Sequence, residues 1–178
     1  MSKAKFNVAD KSTFTVAGIE FIKFPEVNGK VPVVARDSLF NSRFGDTNDL
    51  NNSYFLEKLN DIYKKIAEEV GEENICEFET DLRTHDGLRP YPNFKSKISI
   101  PTFDFYRDNV DVFDMYKLDT WWWLATPESA RPHDAPEWTL CVSPLGSVYY
   151  YCSNCVYCGV RPFLIFESSI FVSDGKEE

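Results

Sequence analysis

Two apolar motifs in the last third of the chain constrain its fold more than any other feature. Trp121-Trp122-Trp123-Leu124-Ala125-Thr126-Pro127 stands at one end and Gly159-Val160-Arg161-Pro162-Phe163-Leu164-Ile165-Phe166 at the other. Both are rich in aromatic and aliphatic residues and read as buried strands. Between them lies Tyr149-Tyr150-Tyr151-Cys152-Ser153-Asn154-Cys155-Val156-Tyr157-Cys158. That run reads either as a contact surface or as a metal site, and the choice decides the function.

At 178 residues the chain has the length of one domain with a proper core. Its net charge of −9 comes from 19 basic and 28 acidic residues. This argues against nucleic acid or an anionic membrane surface as main partner, since both repel an acidic protein. No stretch is long and apolar enough to span a bilayer, so membrane insertion is not expected. The first ten residues lack the apolar region of a signal peptide. The expectation is synthesis in the cytosol, with action outside the cell as part of a particle released by lysis.

Residues 1–11 are polar and read as an arm, 12–168 as the domain, and 169–178 as a polar tail. Phe14, Val16, Ile19, Phe21, Ile22 and Phe24 are strand formers. The Asn28-Gly29 turn signal precedes Val31-Pro32-Val33-Val34-Ala35, which predicts an antiparallel meander over 12–36. Over 53–70, Phe55, Leu59, Ile62, Ile66 and Val70 recur at helical spacing, with Asn52 or Ser53 as N-cap and Gly71 as C-cap. The stretch 80–96, with Gly87, Pro90 and Pro92, reads as a surface loop. Residues 96–100 alternate like a strand, and Thr102 caps a short second helix carrying Phe103 and Tyr106. Strands return at 121–124, 138–142, 147–151 and 160–166. Antiparallel strands with two helices make an α+β domain.

Cys152, Cys155 and Cys158 have the spacing of half a zinc or iron–sulfur site, with Cys141 or His133 as a fourth ligand. A metal-binding protein is therefore the alternative function. Against it, a strand points residues three apart to opposite faces, and no glycine or proline turns the chain between these ligands. Catalytic signals are thin. His85 and His133 sit in loop-like segments, and Asp81, Asp86 and Asp104 show no paired spacing. Neither a phosphate loop nor a zinc-protease helix is present. No enzymatic activity and no cofactor are expected. Three consecutive tryptophans alternate faces on a strand, so at least one is expected in the core; a sugar-stacking platform is the competing reading.

Thr139 to Cys158 contains no Lys, Glu, Gln, Met or Trp. Those are the five types an asparagine codon cannot become when only its adenines are replaced. Residues 129–136, including Arg131, His133 and Asp134, obey the same restriction.

The frame resembles a domain family of bacterial and phage proteins that carry W-W-L-R-S-P, then V…G-x-V…V, then G-V-R-P-A-L. The matching residues here are Trp122 to Pro127, then Val142, Gly146, Val148 and Val156, then Gly159 to Leu164. Gly18 to Phe21, Tyr54 to Asn60 and Ser99 to Thr102 match more loosely, so the likeness covers about residues 12–168. Ala125 departs from the family's arginine. That family is similar to the C-type lectin fold, and some relatives are variable proteins of diversity-generating retroelements. There an error-prone reverse transcriptase replaces template adenines, and the changed copy overwrites the 3′ end of the gene. The same broad fold is similar to that of formylglycine-generating oxidases, whose cysteine motif is not found here.

The resemblance implies a C-type-lectin-like fold with a variable region at about 129–158 and a diversified, ligand-binding face. That face comprises Arg131, His133, Asp134, Cys141, Ser143, Pro144, Ser147, Tyr149, Tyr150, Tyr151, Cys152, Ser153, Asn154, Tyr157 and Cys158. Val142, Gly146, Val148 and Val156 become inward scaffold, and the cysteines become outcomes of randomised codons. Tyrosine offers rigid contact area at low entropy cost, so an exposed Tyr149–Tyr151 cluster reads as a hot spot. Arg161 is expected to be buried against backbone carbonyls or a carboxylate. The implied partner is a protein or glycan receptor on a target cell surface. The setting is a virion tail or cell-surface display, and an oligomer is compatible with either.

Overall fold

The computed structural model describes residues 5–131 and 137–172. The N-terminal meander forms as its turn signals require. β1 (Thr13–Val16), β2 (Ile19–Lys23) and β3 (Lys30–Ala35) pair antiparallel. Asn28 and Gly29 both hold positive φ in the turn before β3, which is why glycine belongs there. The chain then crosses to a second sheet at β4 (Phe40–Ser42) and enters helix α1 (Leu56–Val70).

Leu59, Ile66 and Val70 of α1 are buried, and Gly71 closes the helix with a φ of 89°. The start differs from expectation. Phe55 occupies the N-cap position without a side-chain bond, and the hydroxyl of Ser53 is buried without a partner. Burial of the Phe55 ring against Phe44, at 5.5 Å, sets where the helix begins. Tertiary packing overrides capping preference here.

A two-stranded ribbon, β5 (Phe78–Thr80) and β6 (Phe94–Ser96), brackets the loop over 81–93. The strand expected over 96–100 reduces to the end of β6 and a single bridge from Ser99 to Phe163. α2 (Phe103–Asp108) begins at Thr102, whose hydroxyl accepts from the Phe105 N–H. A third helix, α3 (Val110–Met115), follows where only two helices were expected. β7 (Trp122–Pro127), β8 (Trp138–Val142), β9 (Val148–Cys152), β10 (Cys158–Val160) and β11 (Phe163–Glu167) complete the chain. The strand expected over 160–166 is thus two strands, broken at Arg161-Pro162.

β11 returns to β3, giving a first sheet of order β1-β2-β3-β11. The second sheet has the order β4-β10-β7-β8-β9, antiparallel except where β10 runs parallel to β7. The domain is mixed α+β, mostly strands, with its helices outside the sheets. Alternation along the strands divides the interior into two cores. Phe21, Val33, Trp123, Ala125, Cys141 and Leu164 point to one, which α1 covers with Leu59 and Ile66. Ile22, Val34, Trp122, Leu124, Leu140 and Phe163 point to the other, which α2 and α3 cover with Tyr106, Val112 and Phe113. Trp122 and Trp123 are therefore core anchors on opposite faces. Burial of each such side chain stabilises by about 1.5–3 kcal/mol.

The two ends also dock. The Phe6 N–H donates to Ile170 and the Val172 N–H to Phe6, while Ile170 and Phe171 are buried. The expected free arm and polar tail thus both contribute ordered, packed residues, because Phe6 and Phe171 bury their rings beside Phe14.

Arg161 lies where the chain passes from the second sheet to the first. Its side chain is 1% exposed. Nε donates to the Ala35 carbonyl at 2.9 Å and a terminal nitrogen to the Arg36 carbonyl at 2.8 Å. The guanidinium lies over Trp122 at 4.6 Å and Phe113 at 5.4 Å. Burial pulls its pKa down to about 10, which still leaves it charged at neutral pH. The preceding glycine is dictated by space: a Cβ at Gly159 would sit 2.7 Å from the Cβ of Ser38. Arg161→Lys is expected to lower stability in urea by about 2–3 kcal/mol, because an ammonium cannot serve both carbonyls and stack. Arg161→Ala should lower it further, by leaving a cavity as well.

Candidate functional site

The segment singled out by composition forms the outer edge of the second sheet and its flanking turns. β8 and β9 are joined through Ser143-Pro144-Leu145-Gly146-Ser147. Gly146 has a φ of 86° there, and the Ser147 N–H donates to the Ser143 hydroxyl. The Tyr106 hydroxyl donates to the Gly146 carbonyl at 2.6 Å and fastens this turn to α2. Val142 and Val148 pack inward on the α2–α3 side, and Val156 packs on the α1 side.

The three tyrosines of β9 do not form one cluster. A strand alternates its side chains, so Tyr149 and Tyr151 share one face and Tyr150 takes the other. Trp121 joins the first pair edge-on, at 5.2 Å from Tyr149 and 4.9 Å from Tyr151. Tyr150 packs against Trp138 at 5.7 Å. Tyr149 is 53% and Tyr150 55% exposed, whereas Tyr151 is half-buried against the core. Tyr157 is 64% exposed beneath the guanidinium of Arg43. Asn154 is exposed beside the Tyr54 hydroxyl. Leu145, at 83% exposed, belongs to the same surface and was not singled out by sequence. Ser147 is exposed, and Pro144 and Cys152 are partly so.

Four expected contact residues are buried instead: Cys141, Ser143, Ser153 and Cys158. Cys141 on β8 and Cys158 on β10 both point into the core that α1 covers, so neither side chain reaches solvent. Ser143 is spent on the turn. The Ser153 hydroxyl meets Thr139 at 2.7 Å, and its carbonyl accepts from the N–H groups of Phe44 and Gly45. These residues hold the surface up and are not part of it.

The other end of the segment is anchored by Asn48, which carried no sequence signal, and by Asp86. Asn48 is wholly buried. Its amide donates to the carbonyls of both Ser129 and Trp138 at 2.9 Å, and its oxygen accepts from Tyr91 at 2.6 Å. Asp86 accepts from Thr84, Ser129 and Arg131, and these bonds, Thr84 first, hold its carboxyl below the usual range. Arg131 is exposed but already paired, with Nε 2.9 Å from Asp86. His133 and Asp134 lie outside the described residues.

The cysteines are divided among three roles. Cys152 and Cys155 form a disulfide that closes the turn after β9. Cys141 and Cys158 are free and buried in the α1-side core, where burial raises both thiols to about 12. Cys76 is also free and is raised to about 11 by burial first, then by its contact with Glu167. Among the described residues, no group of three or more His, Cys, Asp or Glu side chains gathers as a metal cage requires. Cys158 points into the core while its two supposed co-ligands are bonded to each other.

One polar cleft of about 400 Å³ does gather Asp81, His85, Asp86 and Asp104, which the sequence left scattered. Their charges are already committed: Asp81 to Arg89, Asp86 to Arg131, and Asp104 to Arg107. His85 stands edge-on to Phe103 at 4.9 Å. No family model, curated protein or solved structure matches this chain.

Two measurements check this anchoring. Alkylation of the native protein at about pH 8 should spare Cys76, Cys141 and Cys158, and denaturation should release all three, read by intact mass. A raised thiol stabilises the fold fully below its ordinary value of 9.0, and that stability is lost as pH climbs toward about 12. Asn48→Leu leaves the Ser129 carbonyl without its side-chain donor; a loss of about 1–3 kcal/mol is expected. Faster proteolysis between 129 and 138 should accompany it.

Proposed function

We propose that this chain is a non-enzymatic binding protein that displays an exchangeable surface on a C-type-lectin-like scaffold, as the variable protein of a diversity-generating retroelement. One observation carries the reading. The stretch reachable from asparagine codons coincides with an exposed, tyrosine-rich sheet edge whose buried members are fastened to the scaffold. Large rigid side chains on a fixed backbone lose little entropy on binding, which is what a diversified contact surface needs.

The contact surface is Tyr149 with Trp121 and Tyr151 on one face, Tyr150 on the other, and Leu145, Ser147, Asn154 and Tyr157 in the turns. Its ligand class is a protein or glycan receptor on a target cell surface. The chain acts at a virion tail or in cell-surface display. Mixed α+β architecture, antiparallel sheets and the buried Gly159-Val160-Arg161-Pro162 crossing all support the scaffold assignment.

The gene's surroundings test this. A downstream near-copy of codons 129–166 is expected, with adenines at the differing positions and a reverse transcriptase gene nearby. Differing codons should fall on Leu145, Ser147, Tyr149, Tyr150, Asn154 and Tyr157, and should spare Cys141, Ser153, Cys158 and Arg161. Absence of the near-copy, together with invariance among sister isolates, overturns the retroelement role. Variation concentrated on the buried set overturns the binding surface.

A further inference from the structure

β9 is an edge strand, and its pairing register shows which backbone groups it leaves free. The Ser143 N–H donates to Ser147, and the Ser153 N–H donates to Glu137. These bonds bracket the ladder that pairs Val142 with Val148 and Trp138 with Cys152. Hydrogen-bonded and non-bonded pairs alternate along an antiparallel ladder. Tyr149 and Tyr151 therefore bond to β8, while Val148, Tyr150 and Cys152 turn their N–H and C=O groups outward. Among the described residues no strand pairs with that side.

Exposed edges are normally blunted by charge, proline, shortness or a cover. Two of the other edges obey this. β4 has three residues and is followed directly by Arg43. β11 is covered by bridges to Ile75 and Ser99. β9 has five residues, no bulge against β8 and no proline. From Trp138 to Val160 the chain carries no charged side chain, in a protein whose charged fraction is 26%. In a chain of net charge −9, β9 itself therefore sets no charged side chain against a second copy.

We infer that β9 pairs antiparallel with β9 of a second copy about a twofold axis at Tyr150, joining two five-stranded sheets into one. The strand is self-complementary in this register. Tyr150 stands opposite its own counterpart, Tyr149 opposite Tyr151, and Val148 opposite Cys152, all uncharged. The Tyr149–Tyr151 pairs form cross-strand aromatic contacts that extend the Trp121 patch across the junction. The joint uses backbone groups, so it tolerates exchange of the side chains that β9 displays. It also sets two contact surfaces side by side, which raises avidity for a repeated receptor. The inference goes beyond the proposed function, and its test needs no receptor.

Sedimentation velocity of the full chain, from micromolar to near-millimolar concentration, tests it together with amide hydrogen exchange. A monomer–dimer equilibrium is expected, stronger at high salt because screening weakens repulsion between the two acidic bodies. The Val148 and Tyr150 amides should gain protection as the dimer forms, while those of Tyr149 and Tyr151 are protected throughout. Tyr150→Lys sets two like charges face to face and should weaken the dimer roughly tenfold or more, whereas Tyr150→Phe should keep it. A monomer across the whole range, or a dimer that leaves Tyr150 exchange unchanged, overturns the inference.

Discussion

The joint at Arg161 is what the rest of the structure depends on. The two sheets share no continuous ladder, and the chain passes between them at Arg161-Pro162. The guanidinium binds the carbonyls that end β3 in one sheet and lies on Trp122 in the other. Two carbonyls and two aromatic faces offset the loss of water around a buried cation. Fixing this joint fixes β10, and through β10 the register of β7, β8 and β9. The exposed tyrosines inherit their positions from a residue they never touch.

A division between support and surface runs through the segment 129–158 at the level of single side chains. Cys141 and its cross-strand partner Tyr149 share one face of the sheet, but Cys141 lies within the α1-side core while Tyr149, on the edge strand, stays exposed. Hydroxyl and amide groups at Ser153, Ser143 and Asn48 fasten turns from within, so these turns are held by buried groups rather than by the exposed Leu145, Tyr149 or Tyr150. Such a surface can change its chemistry without altering the backbone that carries it.

Much of this was legible in the sequence, for local reasons. The meander, α1, the Thr102 cap and the span of β8 follow from periodicity and turn residues close at hand. The buried Arg161 was expected from the resemblance of its motif, Gly159 to Leu164, and not from a local pattern. α3 escaped because a single short turn of Val110, Val112 and Phe113 has too little length to establish a period. The division of the tyrosines was implicit in strand geometry, but its consequence depended on knowing that β9 is an edge. Burial of Cys141, Ser153 and Cys158 was invisible to a test of codon reach, which sees residue types and not faces. Asn48 had no local signal at all, since its partners lie 81 and 90 residues away.

Asn48 has a consequence of its own. It grips Ser129 and Trp138 only by their carbonyl oxygens, which every amino acid possesses. The clamp is therefore indifferent to which residues stand at the two ends and to how many stand between them. Lengthening a chain segment between fixed ends costs little, growing only with the logarithm of its length. An insertion between the two gripped carbonyls would therefore leave the clamp itself unchanged.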